Sequence, residues 1–235
     1  MTFKYVTLGR VICQAYDVEP YELFGPAWLN TDKFDIEAVV PRGATKDQVP
    51  MMIRDMLAER FQLRLHKGMK VMPVYELSAD VGGPKLKMAT ADQVRVEGVS
   101  GLPALGQDGF PEIPPGTAGM LEMDGRTRWQ EPDVELAKLC GALGRQLGRP
   151  VVDKTGLRGR YNISLYWESG VSDPMGSNSL SGPEAVDPAN EASEAGGGPS
   201  IFKALKKQLG LRLDSTSGAA SVVFVDSVAR KPTEN

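Results

Sequence analysis

The sequence predicts an α+β protein made of two tandem related modules, each with two helices packed on small mixed or antiparallel sheets. Two observations carry this prediction. Helical and strand hydrophobic periods alternate along the chain, and four segments of the first half return in the same order in the second half. The first half contains VTLGRVICQAYDV, AWLNTDKFDIEAVV, IRDMLAERFQLRLHK and MPVYELSAD, and the second half contains DVELAKLCGALGRQLG, TGLRGRYNISLYW, FKALKKQLGLRLDS and SVVFVDSVA.

Apolar residues align within three of these segment pairs. Chance could supply one aligned pair but hardly three in register, so we expect an internal repeat. Each module is then interpreted as helix, strand, helix, strand, strand. The aligned positions are Leu8 with Leu136, Val11 with Leu139, Leu29 with Leu157, Ile53 with Ile201, Leu57 with Leu205, and Phe61-x-Leu63-Arg64-Leu65 with Leu209-x-Leu211-Arg212-Leu213.

Amphipathic helices are predicted where apolar residues recur at three- and four-residue spacing, because that spacing places them on one helical face. Gly148, followed by Pro150, predicts the end of one such helix, with glycine in the left-handed cap conformation. The apolar stripes are Leu136, Leu139, Cys140, Leu143 and Leu147 in the second module, and Ile53, Met56, Leu57 and Phe61 in the first.

Strands with one buried face are predicted where apolar and polar residues alternate. Such a strand follows the first helix of each module, and Leu63 and Leu65 begin another. The buried faces of the first two are Phe34, Ile36 and Ala38 in one module, and Tyr161, Ile163 and Leu165 in the other.

The predicted domain organisation has a first module at residues 1–96, lacking an N-terminal strand, and a second at 120–235. A Gly- and Pro-rich connector, 97–119, joins them. Residues 169–199 interrupt the second module and are rich in Gly, Ser and acidic residues, with almost no large apolar side chain. That composition cannot offset the entropy of ordering a chain, so we expect a disordered insertion.

The charge and hydrophobicity of the chain limit the kinds of partner that it is expected to bind. The 235 residues are 41% apolar and 24% charged, with a formal net charge of −3, so no basic field favours nucleic acid. The run KALKKQ (203–208) is interpreted as the solvated side of a helix. No run of 18 apolar residues occurs, so the chain is not expected to span a membrane. The N-terminus is typical of an amphipathic helix rather than a signal peptide, which leaves a cytoplasmic location open.

The two cysteines, Cys13 and Cys140, lie in apolar helical patterns. Buried free thiols are common in such patterns, and a disulfide between them is the alternative. Two thiols with a single histidine make a poor metal set. The glycines of LGRP and GLRGRY do not lead from a strand into a helix, as a dinucleotide loop requires. No metal and no cofactor is therefore expected.

The stretch VVDKTGLRGRY contains Asp-Lys-Thr-Gly, which P-type ATPases place around a phosphorylated aspartate. That enzyme signature continues Gly-Thr-Leu-Thr, whereas this chain continues Gly156-Leu157-Arg158-Gly159. The corresponding first-half segment GPAWLNTDKF also lacks the motif. We therefore predict a turn, in which the Asp153 side chain bonds to the backbone and glycine accepts a positive φ.

Three further sets of residues are candidate sites. His66 could act as a base only beside a nucleophile and an orienting acid, and it is interpreted as a surface or strand-end histidine. The acidic cluster Asp32, Asp35 and Glu37 could supply the carboxylate pair that a glycosidase needs, but alternation along a strand accounts for it. The tryptophans Trp28 and Trp129 could form a ligand platform, but core packing is preferred. No catalytic residue is predicted.

At PAWLNTDKFDIEA, MLAERFQLRLH, PVYELSADVGGPKLK, LGRPVVDKTGLRGRYNISLYW and FKALKKQLGLRLDS, the chain resembles a family of uncharacterised bacterial proteins. That family carries a domain of unknown function and is expanded in acidobacterial soil bacteria. The resemblance implies export to the periplasm or beyond. It also implies a strand like FEVASIKP before the first helix, which we expect to be missing here.

A more distant resemblance concerns order rather than identity. Helix, strand, helix ending in xLGLxL, then a strand pair is similar to the short N-terminal domain of secretins and TonB-dependent transducers. In those proteins the domain is a small α/β module that mediates protein contacts. A fold resemblance does not by itself assign a function.

These observations favour a non-catalytic binding or interaction protein of the bacterial cell envelope. It would meet a protein or peptide partner through exposed sheet edges or a groove between the modules. The alternative is an envelope or extracellular hydrolase of unrecognised type, for which a pocket with convergent polar groups is required. A sensor domain is a third possibility.

Overall fold

The computed structural model describes residues 2–41, 43–89, 104–106, 109–168 and 199–233. Helices and strands alternate irregularly along these residues, and the α+β class is confirmed. In chain order they are β1 (Thr2–Thr7), α1 (Leu8–Tyr16), β2 (Leu23–Phe24), β3 (Lys33–Glu37), α2 (Val49–Phe61), β4 (Arg64–Ala79), β5 (Lys87–Met88), β6 (Gly119–Met123), β7 (Arg126–Val134), α3 (Leu136–Leu147), β8 (Val151–Asp153), β9 (Tyr161–Glu168), α4 (Ile201–Ala204) and β10 (Leu211–Ser227).

The described strands form three sheets. β1 and β3 form an antiparallel pair, and a second, antiparallel sheet has the order β5-β9-β7-β6. The third sheet is mixed and has the order β2-β10-β4-β8, with β2 parallel to β10 and β8 parallel to β4. Small antiparallel and mixed sheets were predicted, and both kinds are present.

The chain forms two compact units that are not consecutive halves. Unit 1 comprises residues 1–73, 148–150 and 217–235, and unit 2 comprises residues 74–147 and 151–216. Both β4 and β10 begin in one unit and end in the other. The predicted module boundaries at residues 96 and 120 follow the repeat instead, and the tandem repeat stays a prediction.

Helices α1 and α2 pack against each other in the core of unit 1. Leu8, Val11, Ile12 and Ala15 are fully buried because their spacing places them on one face of α1. Arg54 of α2 donates from Nε to the Ala15 carbonyl oxygen at 2.6 Å, which fixes α2 to the end of α1. The other buried members of this core are Leu29, Ile36, Ile53, Leu57, Phe61 and Leu63.

The expectation that the N-terminal strand is missing is wrong. β1 precedes α1 and pairs with β3, with a bulge between Phe3 and Val6. Tyr5 in the bulge has a φ of 51°, and its backbone N–H donates to the Asp35 carboxylate at 2.7 Å. The Asp35 side chain on β3 thus provides an acceptor for the Tyr5 amide, which the bulge removes from the hydrogen bonds between β1 and β3.

The core of unit 2 lies among α3, α4 and the strands β7 and β9. The predicted alternation is confirmed, since Tyr161, Ile163 and Leu165 are all buried. Helix α3 spans the predicted stripe, and Gly148 after it has a φ of 64°, as the cap prediction required. After α4 the helix widens into a π turn over Leu205–Leu209.

The predicted strand pair at the end of each module is wrong. β4 and β10 are single strands of 16 and 17 residues. Gly68 lies within β4, where a glycine normally weakens a strand. A Cβ added there would lie 2.9 Å from the Phe224 ring. This glycine therefore permits close approach of the ring instead of marking a turn.

Part of the predicted connector is packed. Phe110 is fully buried, and the guanidinium of Arg128 lies 5.5 Å from the centroid of its ring. Arg128 also donates to the Pro111 carbonyl oxygen at 2.9 Å. Residues 90–103 and 107–108 of this region, and residues 169–198 of the predicted disordered insertion, lie outside the described residues.

Candidate functional site

A groove of about 860 Å³ opens on unit 1. One side consists of β3 and the residues that follow it, the other side is α2, and the carboxyl-terminal tail closes one part of the wall. None of the described residues of unit 2 lines it. The lining residues are Phe34, Asp35, Ile36, Glu37, Ala38, Val39, Val40, Pro41, Val49, Met52, Ile53, Asp55, Met56, Glu59, Arg60, Phe61, Pro232 and Thr233.

The groove follows an edge of β3. Successive strand residues point to opposite faces, so a cavity on one face would touch only every second residue. All four strand residues from Phe34 to Glu37 line this groove, and so do the four residues that follow the strand, 38–41. β1 pairs with the opposite edge, and no other strand in the described part of the chain pairs with β3.

The start of α2 is set by local sequence. Thr45 and Gln48 form a capping box around the 3-10 turn Lys46–Gln48, which leads directly into α2, and in it the Thr45 backbone N–H donates to the Gln48 side chain at 3.0 Å. This reciprocal bonding satisfies amides that have no partner at a helix start. Pro50 follows in the first turn of α2, where its missing N–H costs nothing. The sequence PRGATKDQVP therefore directs α2 alongside β3.

The end of α2 is capped by the tail, residues 229–233. Gln62 adopts the left-handed conformation with a φ of 50°, and the last carbonyls of α2 need donors. The Ala229 N–H donates to the Phe61 carbonyl oxygen at 2.7 Å, and the Thr233 N–H to that of Arg60 at 2.8 Å. The tail thereby becomes part of the groove wall.

An ion pair anchors the tail beside β3. Arg230 donates to the two carboxylate oxygens of Asp32 at 2.6 and 3.2 Å. The bond from Arg230 holds the pKa of Asp32 below its usual value. A smaller depression of about 440 Å³ surrounds this pair and shares Phe34 with the groove.

The groove presents apolar surface to solvent. Val39 is 96% exposed, whereas Met52 and Met56 of α2 are partly buried, and Met56 packs against the core. Flexible methionine side chains adapt to differently shaped partners. The walls are therefore suited to side chains of an extended segment.

The charged residues among the described lining residues are mainly acidic: Asp35 and Glu37 on β3, Asp55 and Glu59 on α2, with Arg60 as the basic member. The interpretation of the acidic cluster as alternate strand residues holds for Asp35 and Glu37 only. Asp32 precedes β3 and pairs with Arg230 instead.

The sequence was compared with models of known protein families, with curated proteins and with solved structures. The family described as "Protein of unknown function (DUF3738)" matches residues 9–228. The chain belongs to the DUF3738 family. No curated protein and no solved structure matches it. The expected membership of a family with a domain of unknown function is thus confirmed.

His66 lies on the surface of the DUF3738 chain, with 57% of its side chain exposed. It was interpreted as a surface or strand-end histidine, and it is a surface histidine that lies within β4. Its Nδ1 lies 2.6 Å from Oδ1 of Asp226, and its ring stacks on Phe224 at 5.2 Å between centroids. Neighbouring strands of the mixed sheet bring these residues together, and sequence reasoning missed Asp226 because the two residues lie far apart along the chain.

The turn prediction for the Asp-Lys-Thr-Gly stretch is confirmed. Oδ1 of Asp153 accepts from the Thr155 backbone N–H at 2.8 Å and from its hydroxyl at 2.7 Å. The Thr155 hydroxyl accepts from Leu157 N–H at 3.1 Å, and Gly156 has a φ of 68°. The aspartate is engaged in local bonds typical of an Asx turn.

Cys13 and Cys140 are both free thiols. Burial raises the pKa of Cys13 to about 11 and that of Cys140 to about 12, because a thiolate is poorly solvated there. Both thiols therefore stay protonated and weakly nucleophilic near neutral pH. No group of three His, Cys, Asp or Glu residues among those described is arranged to hold a metal.

The tryptophans serve as core residues, as predicted. Trp129 is 5% exposed within the core of unit 2, and Trp28 packs against the core of unit 1. Within KALKKQ, Lys206 and Lys207 are exposed while Leu205 is buried, which confirms the solvated helix face. None of the helices that the structure describes is long and apolar enough to cross a membrane.

Proposed function

We propose that this DUF3738 protein is a non-catalytic binding protein of the bacterial cell envelope, which holds an extended segment of a partner protein against the edge of β3. The observation that carries the proposal is the groove along eight consecutive residues, 34–41. An extended peptide can add to a sheet edge, with main-chain hydrogen bonds giving affinity and side-chain pockets giving specificity.

Helix α2 adds the second wall that such binding needs. A bare strand edge would attract any exposed strand, whereas a groove between an edge and a helix admits one segment and contacts its side chains. Met52, Met56 and Val49 supply apolar contacts on the helix side. The volume of about 860 Å³ lies within the range of small-ligand and peptide pockets.

Location and relatives are part of the same proposal. A place in the periplasm or outside the cell rests on the resemblance to exported acidobacterial proteins. The similarity to the secretin and TonB short N-terminal domain favours protein contacts over chemistry. Fractionation of cells that express the native gene checks the location, and recovery only with cytoplasmic markers would contradict it.

Binding is tested with a library of capped octapeptides that includes basic, acidic and uncharged alternating sequences. The expected result is a peptide that shifts the backbone amide resonances of residues 33–41 and of α2. Slower hydrogen exchange in β3 on binding would show strand addition. Shifts confined to residues outside the groove, or cleavage of the peptide, would overturn the proposal, and cleavage would favour the hydrolase alternative.

Two neighbouring methionines supply a matched pair of variants. Met52→Lys places a positive charge in the groove, and we expect it to weaken peptide binding at least about tenfold, the equivalent of one well-placed interaction. Met51 is 59% exposed and does not line the groove, so Met51→Lys should bind as the parent does. Equal loss of affinity in both variants would place binding elsewhere.

A further inference from the structure

We infer that the segment bound at the β3 edge carries basic side chains at alternate positions, with apolar side chains between them. The inference rests on the proposed function and names the chemistry of the partner. It depends on the spacing of the carboxylates along both walls, together with the cavity that they flank.

The two walls present carboxylates at similar intervals. Asp35 and Glu37 are two residues apart on β3, which separates them by about 6.6 Å along the strand. Asp55 and Glu59 are four residues apart on α2, which places them on one face and about 6 Å apart along the axis. All four residues line the groove and are exposed.

Three of these carboxylates are available to a ligand. Glu37, Asp55 and Glu59 have no ion-pair partner among the residues that the structure describes. Asp35 already accepts the Tyr5 amide at 2.7 Å. Among the described lining residues, four acidic side chains against one basic side chain, Arg60, give an excess of negative charge.

The spacing fits an extended chain. Alternate side chains on one face of a strand lie about 6.6 Å apart, close to the interval of both carboxylate pairs. Successive basic side chains can therefore each meet one carboxylate, while the residues between them point to the opposite side of the bound segment. Because these carboxylates are exposed, the attraction is screened over about 8 Å at physiological salt.

Fluorescence anisotropy with four labelled, capped hexapeptides tests the inference: KVKVKV, KKKVVV, TVTVTV and EVEVEV. KVKVKV should bind about tenfold more tightly than the other three, because two weak ion pairs together supply about that factor. Raising NaCl from about 50 to about 300 mM should erase most of this preference.

A matched variant locates the effect. The double variant Asp55→Asn/Glu59→Gln should lose the preference for KVKVKV, while its affinity for TVTVTV stays unchanged. Glu122→Gln, on exposed β6 of unit 2, should behave as the parent does.

Each of the remaining outcomes would contradict a different part of the inference or of the proposed function. Equal binding of TVTVTV or EVEVEV would overturn the basic partner and leave strand addition standing. Equal binding of KKKVVV would overturn the alternating spacing. Binding of none of the four peptides, with none from the octapeptide library, would overturn the proposed function itself.

Discussion

Asp32 and Arg230 show how one residue pair far apart in sequence builds a wall of the groove. The guanidinium contacts both carboxylate oxygens, at 2.6 and 3.2 Å. Such two-pronged geometry is characteristic of arginine with carboxylates. Because the pair lies at the surface, it contributes little to the stability of the fold. Its role is to hold the tail in the position at which Pro232 and Thr233 line the groove.

The pH dependence of this pair has a defined sign. The pKa of Asp32 is lowered in the folded chain, first by the bond from Arg230, while an unfolded aspartate titrates at about 3.9. The stabilisation is therefore present above about pH 4 and is lost as pH falls through the folded pKa. In an NMR titration, Arg230→Gln should raise the pKa of Asp32 toward its ordinary value.

A second surface arginine, Arg212, provides the control for this titration. Arg212 pairs with Asp214 at 3.1 Å, and Arg212→Gln should leave the titration of Asp32 unchanged. An unaltered Asp32 midpoint in Arg230→Gln would contradict the role assigned to the ion pair.

At the scale of elements, β9 and α4 are joined across the long Gly- and Ser-rich segment. The Glu168 backbone N–H donates to the Pro199 carbonyl oxygen at 2.9 Å, and Ser200 caps α4 through its side chain. Glu168 and Pro199, the described residues on either side of 169–198, are thus joined by a hydrogen bond. A short loop would connect them as well as a long one, since loop entropy changes slowly with length.

Deletion of residues 172–196 should leave the thermal midpoint nearly unchanged. Its composition offers almost no apolar surface to bury, and the ends already meet. Differential scanning calorimetry of the deletion variant measures this. A decrease of more than several degrees would mean that the segment contributes packing. Deleting the connector residues 109–113 is the contrasting control, because it removes the buried Phe110.

Elements with a strong local pattern could be predicted from sequence, and those fixed by distant partners could not. The stripes of α1, α2 and α3 and the alternation of β9 are local. The hairpin between β6 and β7 was missed although its signal is local: Asp124 and Gly125 have φ values of 52° and 73°, as a two-residue turn of type I′ requires. The lengths of β4 and β10 depend on pairing with each other.

At the scale of the whole molecule, the two units have separate cores. Leu57 is fully buried in one and Leu205 in the other, and these residues are aligned in the predicted repeat. Ile53 and Ile201 are likewise buried, each in its own core. A repeat would give this correspondence, but buried faces of unrelated helices would give it too, so the repeat stays a prediction.

Leu57→Ala and Leu205→Ala should each lower the free energy of unfolding by about 2–5 kcal/mol, the range for a leucine truncated in a core that cannot fully collapse. Urea titration followed by circular dichroism measures both. The exposed residues Met51 and Met88 provide controls, whose alanine variants should differ from the parent by less than about 0.5 kcal/mol. A negligible loss in either leucine variant would contradict its place in the core.

The groove could not be predicted from sequence as a site. Its residues come from three separated stretches, and the acidic residues on β3 were explained by alternation alone. A signal was nevertheless present. Asp55 and Glu59 repeat at one helical turn, and Val39 and Val40 extend an apolar run past the end of β3. Only the structure places these stretches side by side around one cavity.

The position of the tail that caps α2 also determines where a label or linker for a binding assay can be attached to the protein. Pro232 and Thr233 of this tail line the groove. A dye or sensor-chip linker attached to the tail therefore lies next to the binding surface. The stretch between Glu168 and Pro199 belongs to unit 2, which carries none of the groove residues. Labels for binding assays should be placed in that stretch.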